Sequence, residues 1–435
     1  GKGYVVPEPS AAARAQVEAL QSGGCFLVLD GLDEVPFGLR APVRRMVQAL
    51  LTLYAPKRVI VTCRTRSYDP KQPLPDFAHH ELAPLTPAQV KAFAAGWYRA
   101  MAELDHVDSA EAGAKGQRLA ARVLRQELKG LASNPMLLTV MAELDLQEKE
   151  LPNHRADLLN LAVRIMLGKW NRHRAGQSSS SELQALVEDE RRLRKVVERL
   201  AYETHAQSGR TTDQAGDLPR GRALEVLEEK TLLGRSHLPS DFLDWIDQGT
   251  GILVGRGGDS VEHPVQYGFP HRLFQEYLAG CYMISRPDPE KEYADRAMEG
   301  DYWNLPAILG AEERYYVRGD DHLVLKKAYL LLPQKLSADV ADHRRALWSG
   351  QIAAMVTAEE PQRIASDDSG LYGRGADYLR RACGILARVM SGPLPPIERA
   401  AAGRALSVLG DPRPGVLHTA AMPFCWVPPG DLWMG

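Results

Sequence analysis

The stretch FLVLDGLDEVP, residues 26–36, decides how the first part of this sequence folds. Its apolar run, Phe26–Leu29, ends at Asp30, and a second apolar and β-branched run spans Arg58–Thr62. An amphipathic segment with helical periodicity, Val43–Tyr54, lies between the two runs. Strand, helix and strand at this spacing predict a βαβ unit whose strands are parallel and buried on both faces. Two strands do not make a stable sheet, so further strands are expected from the first residues or from outside this chain.

An acidic loop follows the first predicted strand. Parallel sheets bind ligands at the carboxyl ends of their strands, which is where Asp30 is expected to lie. A carboxylate there suits a hard Mg²⁺ ion, held through oxygen ligands or through the waters of the ion. Asp33 and Glu34, three and four residues later, are placed to orient an attacking water. The structural alternative is an ordinary strand followed by an acidic turn.

The composition is that of a globular protein with 435 residues, enough for about three structural units. Lys and Arg number 53 and Asp and Glu 55, so the net charge is −2, which excludes binding to nucleic acid or anionic membranes through bulk charge alone. Five scattered cysteines without a CxxC pair argue against a disulfide framework or a structural zinc site. No apolar run approaches the roughly 18 residues of a membrane span. We therefore expect a cytoplasmic protein without membrane or nucleic-acid partners.

The rest of the sequence is mainly helical. Helical periodicity begins after Pro84, where Thr86 as cap and Pro87 in the first turn predict a helix start, and continues beyond Trp170. Two short strands around a Gly-rich turn are predicted at 251–255 and 265–269, followed by a helix from His271 to Ile284. Helices that flank a small hairpin are typical of a winged helix. The predicted fold class is thus α/β followed by mainly α.

Four segments, in order, resemble the motifs of the NACHT family of signal-transduction NTPases, which belongs to the STAND class of P-loop NTPases. Residues 26–36 resemble its Walker B strand, which is followed by Asp-Gly-x-Asp-Glu, and Val59–Arg64 resembles its sensor strand. Asn134–Leu138 resembles the motif of its helical domain, and Phe269–Leu278 resembles that of its winged helix. The resemblance covers roughly residues 10–285.

This resemblance implies roles for individual residues. Asp30 would help to hold Mg²⁺, and Asp33 and Glu34 would position water. Arg64 would face the γ-phosphate with its forked, permanently charged guanidinium. Pro135 would lie against the adenine, although a proline here could simply begin a helix. His271 would read the β-phosphate of bound ADP, although it could be an ordinary residue at a helix start.

The phosphate-binding loop of the family is not found in this sequence. That loop requires GxxxxGK followed by Ser or Thr, whose backbone N–H groups cradle phosphates ahead of a helix. Gly1-Lys2 is followed by glycine and Gly168-Lys169 by tryptophan. We expect the Walker A strand and loop to be missing through N-terminal truncation, so that this polypeptide would neither bind ATP tightly nor hydrolyse it. The parent protein is expected to be a slow ATPase.

The last residues carry a second resemblance. The segment from Met422 to Gly435 resembles the opening strand of the formylglycine-generating (sulfatase-modifying factor) domain family. This implies that the active-site residues of that domain lie beyond Gly435, and Cys425 is not expected to be a catalytic thiol.

The predicted domain organisation has five parts. They are a partial NACHT nucleotide-binding α/β domain (1–83), a helical domain (84–150), a winged-helix domain (151–285), a helical region and connector (286–415), and the start of a formylglycine-generating-enzyme-like domain (416–435).

The leading functional hypothesis is a conformational switch in bacterial signalling or defence. ATP or ADP, with Mg²⁺, would bind between the α/β domain and the winged helix, and nucleotide state would set the balance between two arrangements. Self-association or a partner protein is expected on activation. Two alternatives stay open: the regulatory part of a formylglycine-generating-enzyme-like protein, and an interaction scaffold that does not hydrolyse nucleotide.

Overall fold

A computed structural model of the 435-residue chain provides the fold. It describes residues 26–32, 37–54, 58–63, 77–147, 151–174, 180–210, 217–249, 252–256, 264–269, 271–368 and 374–416, together with isolated positions between 15 and 22, residues 74–75 and residue 422. The predicted sites Asp33, Glu34 and Arg64 lie outside the described residues, as does nearly all of the segment that resembles a formylglycine-generating domain.

The first unit is the predicted strand–helix–strand arrangement. Strand β1 (Phe26–Leu29) pairs with β2 (Arg58–Val61) in parallel, with Phe26 opposite Arg58 and Leu29 opposite Val61. Helix α1 (Phe37–Tyr54) connects them. The parallel pairing is confirmed. The carboxyl ends of both strands therefore meet at one edge.

The prediction that these strands are buried on both faces is wrong for the described part of the chain. Side chains alternate along each strand between an exposed and a partly buried side. Phe26 is 56% exposed and Val28 is 52% exposed. Successive side chains of a strand point to opposite faces, so a single uncovered face exposes alternate residues.

A four-helix unit follows, and its first helix begins as the sequence predicts. The hydroxyl of Thr86 accepts a hydrogen bond from the backbone of Gln89, the side chain of Gln89 accepts one from the Thr86 N–H, and Pro87 occupies the first helical position. The carboxylate of Asp145 is buried in this unit, where it accepts a hydrogen bond from the Tyr98 hydroxyl at 2.6 Å and is paired with Arg122. The helices are α2 (Pro87–Glu103), α3 (Ser109–Val123), α4 (Gln126–Ala132) and α5 (Pro135–Leu146).

The next unit contains helices around a three-stranded antiparallel sheet of order β3-β5-β4. Both strands of the predicted hairpin are found in it, and Tyr267 at its centre is fully buried. This arrangement fits the predicted winged helix. The elements are α6 (Arg155–Arg174), α7 (Ser181–Glu188), α8 (Glu190–Arg210), β3 (Leu218–Pro219), α9 (Arg220–Leu227), α10 (Leu238–Gly249), β4 (Val254–Arg256), β5 (Gln266–Gly268) and α11 (Arg272–Ile284).

The described residues after 288 are mostly helical, as predicted, and we refer to residues 289–409 as the helical array. Trp303 and Trp348 are fully buried in its core, which also takes in Ala279 and Met283 of α11. The core of the array therefore extends onto α11 of the winged-helix unit. Its elements are α12 (Pro289–Glu299), a 3₁₀ turn (Asp301–Trp303), α13 (Asn304–Glu312), a π-helix (Glu313–Val317), α14 (Asp321–Leu331), α15 (Val340–Glu359), α16 (Gly375–Val389) and α17 (Pro396–Leu409).

None of the helices in the described ranges combines the length and the apolar character that crossing a bilayer requires.

Candidate functional site

The carboxyl ends of β1 and β2 are joined by hydrogen bonds around Thr62. The Thr62 hydroxyl donates to Oδ1 of Asp30 and accepts from the backbone N–H of Gly31 at 2.9 Å. The backbone of Thr62 donates to the Leu29 carbonyl at 3.0 Å and accepts from the Leu32 N–H at 2.9 Å. Thr62, which follows β2, thus fixes the carboxylate of Asp30, which follows β1.

The chain turns sharply directly after Asp30. Gly31 has φ +77°, in the left-handed region where a residue with a Cβ is strained. This conformation brings the Gly31 N–H back to Thr62. A glycine after the strand is therefore required by the geometry that holds Asp30 at the edge.

Asp30 has the chemistry of a ligand for a hard cation. It is exposed, and Thr62 is bonded to only one of its two oxygens. An exposed carboxylate oxygen at the end of a parallel strand fits Mg²⁺, which keeps several of its own waters and takes few protein ligands. No cluster of three or more His, Cys, Asp or Glu side chains forms among the residues that the structure describes, so the fit rests on Asp30.

Pro135 occupies the start of a helix. Helix α5 begins at Pro135, and Oδ1 of Asn134 accepts hydrogen bonds from the N–H groups of Met136 at 3.0 Å and Leu137 at 3.3 Å. This confirms the helix-start reading of the proline, because Asn is a strong N-cap and Pro suits the first position. The Pro135 ring is exposed, so its face is accessible to a planar ligand.

A cleft of about 340 Å³ lies close to this helix start. Its size is at the lower end of the range for small-molecule sites. The Leu85 N–H donates to the Ser133 carbonyl at 2.9 Å and closes one side of the cleft. The cleft is lined by Leu85, Pro87, Val90, Leu124, Lys129, Gly130 and Ser133.

His271 is the residue immediately before helix α11. Its backbone is extended, with φ −121° and ψ 112°, and its side chain does not cap the helix. The exposed imidazole lies edge-on to the ring of Phe274, with 6.5 Å between the ring centroids.

Tyr277 joins α11 to its neighbours. Within α11 itself, Glu276 accepts a hydrogen bond from Arg272 at 2.7 Å. The buried Tyr277 hydroxyl donates to Glu313 of the helical array and accepts from Nη2 of Arg194 at 3.0 Å. Burial raises the pKa of Tyr277 well above its ordinary value, so the phenol is a neutral donor to the carboxylate.

Charged contacts connect the winged-helix unit to the junction between α13 and the π-helix. Arg155, which begins α6, binds Glu312 through both Nε and Nη2, at 2.8 and 2.6 Å. Arg194 of α8 lies 3.4 Å from the buried Glu313. The sequence did not identify Glu312 and Glu313 as contact residues, because Arg155 and Arg194 lie more than 100 residues away in the chain.

Helices α11 and α13 also cross at two glycines. A Cβ built on Gly280 would lie 2.2 Å from the Pro306 carbonyl oxygen and 2.8 Å from the Gly310 nitrogen. A Cβ on Gly310 would lie 2.6 Å from the Gly280 carbonyl oxygen. The backbones are thus in direct contact about two turns from His271, which couples the start of α11 to the helical array.

The described site residues that the sequence predicted therefore belong to three different structural units. Asp30 lies at the strand edge of the α/β unit, Pro135 begins a helix of the four-helix unit, and His271 precedes a helix of the winged-helix unit. Thr62 and Asn134, which hold Asp30 and Pro135 in place, had no predicted role of their own. An Asn before a Pro was a usable signal for a cap, whereas the Thr62 contact depends on strand register.

Comparison with protein families gives one finding for this chain. Residues 155–283 match the family model of the winged helix-turn-helix domain C-terminal to NACHT. This match spans α6 to α11, including His271 and three residues that contact Glu312 or Glu313, namely Arg155, Arg194 and Tyr277. It supports a NACHT-family protein with a winged helix in this part of the chain. A search of curated proteins found no match.

Proposed function

We propose that this chain is part of a nucleotide-dependent conformational switch. ATP or ADP, with Mg²⁺, would bind between the α/β unit and the winged helix. The observation that carries the proposal is the coincidence of the NACHT-associated winged helix with an exposed carboxylate, Asp30, at the carboxyl edge of a parallel strand pair. Neither feature alone specifies a nucleotide, but together they supply groups on two sides of one ligand.

Each described residue has a defined part in this switch. Asp30, oriented by the Thr62 hydroxyl, would accept hydrogen bonds from waters of the Mg²⁺ shell, and Mg²⁺ would neutralise phosphate charge when bound. The exposed Pro135 ring would pack against the base. His271, which is exposed immediately before α11, would donate a hydrogen bond to the β-phosphate.

Three further residues complete the proposed site and lie outside the described ranges. Asp33 and Glu34 would position the attacking water, and Arg64 would contact the γ-phosphate through its guanidinium. These assignments rest on the resemblance of residues 26–36 and 59–64 to the NACHT motifs.

The contacts of α11 provide a route from nucleotide to the rest of the protein. His271 precedes the helix, Tyr277 contacts Glu313 within it, and Gly280 touches Gly310. A displacement of His271 would be transmitted to the helical array because the backbones of α11 and α13 are already in contact. A nucleotide that binds one arrangement better than the other would shift the population toward it.

The experiment that tests this proposal compares variants of a version extended upstream to include a phosphate-binding loop. Asp30→Ala should reduce Mg·ATP turnover at least tenfold, and His271→Ala should increase the rate of ADP dissociation. Asp368→Ala and His322→Ala are matched controls because both residues are exposed and lie in the helical array. Unchanged turnover would remove Asp30 from the site, and an unchanged ADP dissociation rate would remove His271.

A further inference from the structure

The cleft in the four-helix unit is a separate feature from the predicted nucleotide residues. It lies between the start of α2, the end of α3 and helix α4, and has a volume of about 340 Å³. None of the predicted site residues is among the described residues that line it. Its most buried lining residue, Val90, is 1% exposed, whereas Lys129 and Gly130 are exposed. The cleft therefore has an apolar floor and an open mouth.

Hydrogen bonds around the cleft fix its walls. The Leu85 N–H donates to the Ser133 carbonyl at 2.9 Å, and the Ser133 hydroxyl donates to the Gly130 carbonyl at 2.7 Å. At the start of α2, the capping box of Thr86 sets the first turn, which carries Pro87. Small-molecule sites are usually largely formed before the ligand binds, and these contacts meet that condition.

Gly130 leaves space beside the wall that α4 forms. A Cβ built on Gly130 would have no other part of the described chain within 4 Å beyond its own stretch of helix, and its φ is outside the left-handed region. Neither close packing nor backbone conformation therefore requires glycine here, although glycine is a poor residue for the interior of a helix. The consequence of the missing side chain is an unfilled volume next to Lys129.

Lys129 supplies the only charge among the described lining residues. Its side chain is exposed, and its ammonium forms neither an ion pair nor a hydrogen bond within the described part of the chain. A lysine can lay its apolar stem along an apolar wall and keep its charged end at the mouth. The apolar lining residues are Leu85, Pro87, Val90 and Leu124. The cleft thus combines an apolar interior with one unpaired positive charge.

These features select the chemistry of a ligand. Apolar walls favour a ligand with an apolar body, and a few placed polar groups fix its orientation. One lysine is a point charge that matches a single carboxylate, whereas phosphate recognition usually recruits several donors or the fork of an arginine. A volume of about 340 Å³ suits a small molecule.

We propose that this cleft binds a small monocarboxylic acid with a compact apolar body, which packs against Val90 and Leu124 while its carboxylate pairs with Lys129. The bound acid bridges α2 and α4. It thereby stabilises the turn at Ser133, which leads into α5. The site shares no residue with the nucleotide proposal, so either proposal can fail without the other.

The test is saturation-transfer NMR with the full chain, with indole-3-carboxylate and its neutral analogue indole as probes. An exposed ion pair contributes modestly, so the carboxylate should bind about fivefold more tightly than indole. Binding of neither probe, or equal binding of both, would overturn the proposal. Displacement of indole-3-carboxylate by adenosine would also overturn it, because the cleft would then belong to the nucleotide site.

A pair of glycine variants locates the binding. Gly130→Leu places a side chain in the unfilled volume of the cleft and should abolish the binding of both probes. Gly96→Leu is the matched control, because Gly96 is in α2 with an equally open Cβ and does not line the cleft, and it should bind as the unmutated chain does. Undiminished binding by Gly130→Leu would refute the site.

A pair of lysine variants tests the carboxylate contact. Lys129→Met keeps an unbranched side chain of similar volume, so it should keep the binding of indole and lose the fivefold preference for the carboxylate. Lys91→Met, at an exposed position of α2, is the matched control and should keep the preference. An unchanged preference in Lys129→Met would show that the carboxylate does not pair with this lysine and would refute the proposal.

Discussion

Replacing Gly280 by alanine should destabilise the junction between the winged-helix unit and the helical array. The added Cβ would lie 2.2 Å from the Pro306 carbonyl oxygen, where ordinary contacts begin at 3.4 Å. The two atoms must therefore separate by about 1 Å, and both obstructing neighbours, Pro306 and Gly310, present backbone atoms that no rotamer change can move. Helices α11 and α13 must move apart as rigid elements.

The magnitude follows from two opposing effects. Forcing an extra carbon into a packed interior costs about 1–3 kcal/mol, and the upper value applies because backbone must shift. Replacing a glycine inside a helix by alanine returns about 1 kcal/mol. The expected net loss is about 2 kcal/mol in the free energy of unfolding, roughly a thirtyfold change in the folding constant.

Urea unfolding followed by circular dichroism measures this loss directly. Gly384→Ala in α16 is the matched control, because nothing lies within 4 Å of its added Cβ, and it should be neutral or stabilising by up to about 1 kcal/mol. If Gly280→Ala were as stable as Gly384→Ala, the direct backbone contact between α11 and α13 would be refuted.

Three further predictions concern single side chains. Burial lowers the pKa of His205 to about 4, so between pH 6.5 and 4 the imidazole binds a proton in the unfolded chain but not in the folded one. The free energy of unfolding should therefore fall by about 3 kcal/mol as the pH drops from 6.5 to 4. His205→Gln should remove this pH-dependent loss, measured by urea unfolding at a series of pH values. Glu313→Ala removes the acceptor of the buried Tyr277 hydroxyl and one of the two carboxylates paired with Arg194, and should cost about 1–3 kcal/mol, whereas Glu359→Ala at the surface should cost under about 1 kcal/mol by the same assay. Asn134→Ala removes the cap of α5 and should cost about 1 kcal/mol, measured by thermal unfolding.

Each of these three predictions would be contradicted by a specific result. An identical pH profile for His205→Gln and the unmutated chain would show that the imidazole is not buried in its neutral form. Equal losses for Glu313→Ala and Glu359→Ala would mean that the Glu313 contacts are no stronger than a surface pair. An Asn134→Ala variant of full stability would show that α5 does not depend on this cap.

The local elements of this protein were predictable because their signals are short-range. The Thr86-Pro87 helix start, the hairpin strands near residues 254 and 267, and the helix after His271 all lie within a few residues of the patterns that predicted them. The strand pairing of the first unit was predictable for a different reason, because a helical crossover between two apolar strands requires a parallel arrangement.

Tertiary contacts were not predictable in the same way. Strand β3 has two residues, Leu218 and Pro219, and exists only because Tyr267 and Gln266 pair with it. Its sequence carries no strand pattern. The exposed side of β1 also escaped prediction, because burial depends on what covers a strand and not on the apolar character of Phe26.

The candidate site was predictable in part. Asp30 was placed at the strand edge from sequence, and the structure puts it there, but its bond to Thr62 depends on the register that pairs Leu29 with Val61. The contacts that join Arg155 and Arg194 to the helical array left no trace in the sequence, since an arginine or glutamate in a helix is ordinarily solvated.

Nucleotide binding is the central claim, and a titration of a fluorescent ATP analogue with Mg²⁺ tests it most directly. The titration is made into this chain and into a version extended upstream. The account predicts saturable binding by the extended version, weak or no binding by this chain, and loss of binding when Asp30 is replaced by alanine in the extended version. Absence of binding by both versions would contradict the switch and favour an interaction scaffold.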